Sequence, residues 1–376
     1  MEGIVEQDER NEEAVRKFNQ RLKAGGSEFE FPVGPDFPVG AANGLSHNSS
    51  YHAVNFKRYL YQDGEYVRGG YILLGHGALV GGERIDLQFL KLPLSEGIVD
   101  RQYSIFGALL FKDAIKRAPL SYGLGGGGLE SPVIKMLKRS GYRLHPVPFR
   151  FRVLNAANFL RNIQVLRTTS MRRMALDGLS RVPLLPRALE FFQASKASAG
   201  LPDRGTSIEA VPCFGRWADE LWEQSAGTYS FIAIRDATTL NWRLPPEDER
   251  LHRITLMRDG RIVGWAVVTD SRFNGHRQFG SMRVGAIVDA LCRAGEESAT
   301  MAAAVRYLRS RRVDLMVSNQ CAALWNVALA RNGFLAAGSN FILATSPQLT
   351  ALISRNDPEF DRVQINRCDG DGPIHL

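Results

Sequence analysis

Cysteine is scarce in this 376-residue chain. Its four residues, Cys213, Cys292, Cys321 and Cys368, form no C-x-x-C pair and meet no histidine at metal-ligand spacing. That excludes a disulfide framework and a structural zinc site, and it leads us to expect a reducing, cytoplasmic setting with no bound metal. The chain also lacks any apolar run near the roughly 18 residues of a spanning helix. Its acidic opening, MEGIVEQDERNEE, leads us to expect no signal peptide. Hydrophobic residues make up 44% and charged residues 23%, the balance of a globular protein rather than a disordered one. The length exceeds one ordinary core and favours two domains.

Acids are locally missing as well. Between residues 150 and 187 arginines recur every few positions and Asp177 is the single acid, in a chain whose net charge is +8. Two readings stay open for this stretch: a solvated basic helical linker, or a face for anionic lipid (peripheral membrane contact) or RNA.

What is present is a repeated order of elements. NEEAVRKFNQRLKAGG opens with acids and closes with bases before Gly-Gly, a helix with both ends of its dipole complemented. YVRGGYILLGHGALV and RIDLQFLKL are strands, YSIFGALLFKDAIKR a helix and PLSYGL a short strand. SPVIKMLKRSG is a helix with proline near its start and glycine past its end, and YRLHPVPFRFRVL is a closing strand pair. From residue 205 the order returns. DGRIVGWAVVTD and RVGAIVDAL are strands, ATMAAAVRYLRSR a helix, VDLMVSN a strand, AALWNVALARNG a helix and FLAAGSNFILAT a strand region. Asp63-Gly64 falls on Asp259-Gly260, and Gly141-Tyr142 on Gly333-Phe334. The chain therefore reads as two copies of one α/β unit, residues 1–155 and 205–376, joined by the basic segment 156–204.

LPLSEGIVDRQYSIFGALL, SGYRLHPVPFRFRV, IRDATTLNWR and LARNGF, set in that order of elements, resemble the GNAT acyltransferase fold. Tandem units in one chain are similar to the FemAB-like branch and to acyltransferases of cell-surface polysaccharide and peptidoglycan pathways. The resemblance implies an α/β (α+β) fold of two GNAT units, each a mixed, mostly antiparallel sheet flanked by helices. It implies acetyl-CoA or another acyl-CoA lying between the fourth and fifth strands, its pyrophosphate on the next helix N-terminus. An amine then attacks the thioester, a carboxylate or water takes its proton, and often a tyrosine protonates the thiolate. On this chain the first copy is expected to hold the cofactor through Leu90, Gly97, Arg101, Gln102, Tyr103, Ser104, Gly107, Gly125 and Gly126. Glu96 and Asp100 would repel a pyrophosphate unless they point away. In the second copy Arg293, Gly295 and Ala299 match the family pattern poorly, and Glu296 and Glu297 fall where phosphates belong, which suggests a supporting or acceptor-binding role. Asp86 is the expected base and His76 the second choice. His47, Asn48, His52 and Arg235 are expected to contact the acceptor, with an amino sugar of a cell-surface polysaccharide precursor as the candidate. The position of the family's tyrosine is Leu137 in one copy and Leu329 in the other. Two alternatives follow: an aminoacyl-tRNA-dependent transferase, or a non-catalytic binding module.

Gly123, Gly125 and Gly128 also satisfy G-x-G-x-x-G, the dinucleotide fingerprint. The acid that should follow about 20 residues later is missing, with PFR around Pro148–Arg150, and the aligned LMVSNQCAALW has no glycine. NAD is therefore set aside for a turn that brings backbone near the cofactor or acceptor, or a plain turn. The tail CDGDGPIHL resembles part of a calcium loop but lacks the bidentate glutamate.

Overall fold

A computed structural model of the chain describes residues 2–34, 55–164, 166–167, 178 and 206–370. The first elements are β1 (Glu2–Glu6), α1 (Glu12–Ala24), β2 (Asn55–Asp63), β3 (Tyr66–Val80), β4 (Glu83–Ser95) and α2 (Ser104–Arg117). Then come β5 (Ser121–Gly125), α3 (Pro132–Arg139), β6 (Arg143–Pro146), β7 (Phe149–Val153), α4 (Ala156–Asn162) and β8 (Thr206–Val211). The second half continues with α5 (Arg216–Ser225), β9 (Phe231–Ala233), α6 (Ala237–Arg243), β10 (Leu251–Arg258), β11 (Arg261–Arg272) and β12 (Arg283–Cys292). The chain closes with α7 (Glu297–Ser310), β13 (Leu315–Asn319), α8 (Ala323–Arg331), β14 (Leu335–Ala337), β15 (Ile342–Thr345), α9 (Pro347–Ser354) and β16 (Val363–Gln364).

Two compact units result, each a mixed, mostly antiparallel sheet flanked by helices, in a tandem GNAT arrangement. Their division is interleaved, where the sequence suggests consecutive blocks. One unit is Met1–Pro146 with Asn340–Pro358, the other Val147–Ser339 with Glu359–Leu376. In the first unit the strand order is β1-β2-β3-β4-β5-β15-β6, and in the second it is β14-β7-β13-β12-β11-β10-β8. The stretch YRLHPVPFRFRVL does supply two strands, yet they do not pair. β6 takes β15 as its neighbour, Ile342 opposite Pro146 and Thr345 opposite Arg143. β7 pairs with β13 and with β14.

Local chemistry explains the helices of the first unit. Acids Glu12 and Glu13 open α1, and Arg21 and Lys23 close it. Ser131 caps α3 by accepting the Ile134 N–H at 3.3 Å, and Pro132 follows it at the first helical position. Buried Val15, Phe18 and Leu22 of α1 pack with Leu60, Ile72 and Leu94 on one face of the sheet. On the other face Leu110, Phe111 and Ala114 of α2 and Ile134 and Leu137 of α3 pack with Tyr71, Leu73, Leu90, Ile342 and Ala344.

This last cluster draws β15 residues into the core of a sheet begun far earlier in the chain, and a test follows. Residues 1–155 expressed alone will not give a cooperative thermal unfolding transition, because β5 and β6 lose the strand between them. The same segment supplied with 340–358 through a linker will. Circular dichroism melts compare the two.

Candidate functional site

In each unit one parallel strand pair parts before a helix begins. In the first, Gln88 lies beside Ser121 and Phe89 beside Tyr122. Parallel pairing stops there while β4 runs on to Ser95. Against β3 the strand bulges: Gly70 faces Leu94 and Ile72 faces Lys91, so Leu92 and Pro93 together oppose Tyr71. Leu92 takes a φ of 49°, unusual outside glycine, and the bulge bends β4 away from its straight course.

β4 then turns into α2. Gly97 makes the turn tight, since a Cβ there would sit 2.7 Å from Ser104 Cα. Glu96 is buried and faces inward: Arg21 Nε donates to its Oε1 at 2.7 Å and Arg68 Nη1 to its Oε2 at 3.0 Å. Its charge is thus neutralised away from the helix end. Asp100 instead caps the turn, accepting the Gln102 N–H at 3.1 Å and Gln102 Nε2 at 2.7 Å. The Tyr103 N–H donates to Asp100 O and the Ser104 N–H to Arg101 O. All three backbone donors expected to grip a phosphate are therefore engaged within the turn. Arg101 and Gln102 are exposed at its rim, whereas Tyr103 is half-buried under the Arg68 guanidinium, 4.2 Å from the ring centre. Leu90 is buried in the core, and Gly107 lies against Ser95, whose Oγ would be 3.1 Å from an added Cβ.

The glycine run after β5 has its own cause. Gly125, Gly126, Gly127 and Gly128 have φ of 99°, 76°, 75° and 101°, a left-handed path that other residues rarely follow. At Gly126 a Cβ would meet Ile134 Cδ1 at 2.6 Å, so the absent side chain makes room for the α3 core. Leu137, at the position of the family's tyrosine, is buried against the same strand, near Gly123.

Asp86 and His76 are neighbours in sequence register but not in space. Asp86 pairs with Gly77 and His76 with Leu87, so strand alternation puts the two side chains on opposite faces. Asp86 is exposed. His76 is buried, and Gly77 O, 3.1 Å from Nδ1, can only accept. Nε2 therefore accepts the Tyr122 hydroxyl at 2.8 Å. His47, Asn48 and His52 lie outside the described residues, as does most of the basic segment.

In the second unit β12 and β13 run parallel from Val284 beside Leu315 to Ile287 beside Ser318. Beyond them the parting is closed by the chain itself. Gln320, just past β13, bridges to Asn366, whose Nδ2 donates to Asp289 of β12 at 2.5 Å. Arg235 Nε donates to both Asp289 oxygens at 3.1 Å, Nη2 to Asp369 Oδ2 at 2.7 Å, and Nη1 to Ala233 O at 2.8 Å. Arg243 Nη1 adds a bond to Asp369 Oδ1 at 2.8 Å. Burial pushes the Asp289 carboxyl above its usual range, against the pull of Arg235. Asp369 is equally buried, but Arg235 and Arg243 together hold it below. Arg235, expected to contact an acceptor, is only 1% exposed and serves the fold. The Asp of CDGDG is likewise an ion-pair partner. Composition did carry a signal for this cluster: Asp289 sits in the apolar run VGAIVDALC, and a buried acid needs a partner.

No family model and no curated protein matches the chain. Solved structures do. A GCN5-related N-acetyltransferase from Anabaena variabilis ATCC 29413 is 12% identical over 92% of this chain and 72% of its own, with a TM-score of 0.53. Saccharomyces cerevisiae N-myristoyltransferase with bound myristoyl-CoA is 11% identical over 92% and 78%, with a TM-score of 0.47. A tandem GNAT protein from the clavulanic acid biosynthesis pathway is 14% identical over 92% and 98%, with a TM-score of 0.46. The likeness to the Anabaena protein is one of fold: the chain has the tandem GNAT architecture. No helix among the described residues is long and apolar enough to cross a membrane.

Removing the Arg235 guanidinium strands a buried carboxylate. Arg235→Met is expected to lower unfolding free energy by about 3–5 kcal/mol. Arg216→Met, which breaks the exposed pair with Glu220, should change it by less than about 1 kcal/mol. Denaturant titration measures both.

Proposed function

We propose that the chain is an acyltransferase that moves an acyl group from acyl-CoA to an amine, with acyl-CoA held by the unit built from Met1–Pro146 and Asn340–Pro358. The observation that carries this reading is the contrast between the two partings. In one unit Asn366 and the Arg235 network bind both strands together. In the other β4 leaves β5 through a bulge and runs into a helix whose nearest buried acid is already neutralised. The Anabaena protein of like fold is described as an N-acetyltransferase, which agrees with the reading.

Acyl-CoA supplies the activated acyl carbon as a thioester. The chain's part is to hold the anionic end, bend β4 and accept a proton. Arg101, exposed at the α2 turn, meets the pyrophosphate with help from the positive helix end. Asp100 is the obstacle, since a phosphate must compete with it for the Gln102 N–H. Losing such a cap costs about 1 kcal/mol. One charge-assisted hydrogen bond contributes about 1.5–3 kcal/mol. Asp100 must therefore turn away from the Gln102 N–H when the phosphate arrives, and Arg101 offsets the charge it leaves there. Between the two candidate bases we assign Asp86, because its carboxylate is exposed to an incoming amine while His76 is enclosed with Tyr122. As the N–C bond forms and the C–S bond breaks, the amine proton passes to Asp86 and the thiol departs as thiolate, whose low pKa lets it leave without a tyrosine.

Thermal unfolding with acetyl-CoA and longer acyl-CoAs tests the donor. At about 100 times the dissociation constant the ligand stabilises by about 2.7 kcal/mol. Arg101→Glu should abolish the shift and Asp100→Asn should enlarge it. No shift with any acyl-CoA removes this reading and directs the search to aminoacyl-tRNA. If a shift appears, amines including amino sugars are screened for acyl transfer, and Asp86→Asn should lower kcat with little effect on acyl-CoA binding.

A further inference from the structure

The second unit contains a cavity of about 380 Å³ between the end of β7 and the end of α7. It is lined by Leu154, Asn155, Arg309, Arg312, Val313 and Asp314. We propose that this cavity binds the phosphoryl group of a phosphorylated small molecule, at a place separate from the acyl-CoA site and independent of it.

Two arginines of the lining carry the argument, and a third is buried near them. Arg309, in the last turn of α7, and Arg312, just past it, are exposed, and neither has a carboxylate partner among the described residues. Arg312 has a φ of 56°, at a helix end where glycine or asparagine is the cheaper choice. An arginine in that conformation costs about 1 kcal/mol or more, and no bond of its side chain among the described residues offsets it. The third is Arg152, two residues before Leu154. It is 5% exposed, and its Nη1 donates to Asn332 O at 2.5 Å, while its Nε has no partner among the described residues. Burial and the nearby charge of Arg309 both push the Arg152 guanidinium below its ordinary pKa.

Arg309 and Arg312 in the lining, with Arg152 buried close enough to feel the charge of Arg309, outnumber the single acid and make the cavity locally positive. Asp314 is the one acid in the lining, and both its oxygens are occupied. Asn155 Nδ2 donates to one at 2.9 Å and the Arg283 N–H to the other at 2.9 Å. A dianionic phosphoryl group has the charge and the acceptor count to satisfy the arginines. The cavity's volume of about 380 Å³ has room for a phosphoryl group, and a soluble ligand is the source proposed.

Calorimetric titration of the full chain with inorganic phosphate at low ionic strength, in the Arg101→Glu background, tests the site. Saturable binding is expected, weakened about tenfold or more in the Arg309→Ala/Arg312→Ala double variant by loss of charged hydrogen bonds. With Arg101 intact, acyl-CoA titrations should be the same with and without the double substitution, which separates this site from the donor site. A second double variant, Arg306→Ala/Arg331→Ala, removes two exposed charges, one from α7 and one from α8, outside the cavity lining. Equal weakening in both variants means diffuse attraction to a basic surface and overturns the proposal, as does the absence of phosphate binding. Flotation with phosphatidic acid vesicles distinguishes the source. Capture that phosphate competes away, and that the first variant loses, places the phosphoryl group on a lipid, and its absence leaves a soluble ligand.

Discussion

A strand that belongs to one half of the sequence and the sheet of the other is what the rest of the structure depends on. Ile342–Thr345 pairs with β5 on one side and β6 on the other, and all four residues are buried. Backbone groups left unpaired at such a position would each cost about 1–3 kcal/mol. β5 is also one wall of the parting beside β4, and α3 packs across it onto Ile342 and Ala344. The strand therefore sets where that wall stands. In the second unit β7 does the same for β13, pairing Leu315 with Val153 and Asn319 with Phe149. Duplicating one fold has thus produced sheets that neither half of the sequence completes alone.

The same parting has two outcomes. In one unit it is sealed by a buried network of two arginines, two aspartates and Asn366. Buried ion pairs of this kind add little net stability compared with apolar packing, because desolvation consumes the Coulombic gain. Their value lies in position. Bonds from Arg235 reach β12 through Asp289 and the late chain through Asp369, so the segment after β16 has one place to lie. Opening that parting would break charge-assisted bonds among buried groups.

Much of the fold is legible in the sequence because its signals are local. The acidic start and basic end of α1, the Ser131-Pro132 entry and Gly141 exit of α3, and the repeated Asp-Gly turns at 63–64 and 259–260 each state their structure within a few residues. The strand exchange is not local. PVPFRFRV and SNFILAT read as strands in either sheet, and hydrogen-bonding partners leave no mark on alternation. The two acids beside the α2 start are legible in residue type and not in direction. Glu96 and Asp100 look alike as acids beside a helix start, yet one is drawn inward by Arg21 and Arg68 and the other caps the turn. The run GLGGGG invites a phosphate reading, whereas its backbone angles and the nearness of Ile134 to Gly126 explain it without a ligand.

One position explains why the two partings differ. Two residues past the last parallel pair stands Lys91 in β4 and Asp289 in β12. An acid at that place, inside an apolar strand, must be neutralised, and the second unit meets the demand with Arg235 and the amide of Asn366. Each of these brings its own segment into the opening. A lysine makes no such demand on arginines. The acid thus commits its unit to being closed, while the lysine leaves the other parting free of that commitment. The sign of a single charge can thus decide which segments of the chain are drawn into a buried gap, since an acid there must find its cations and a lysine need not.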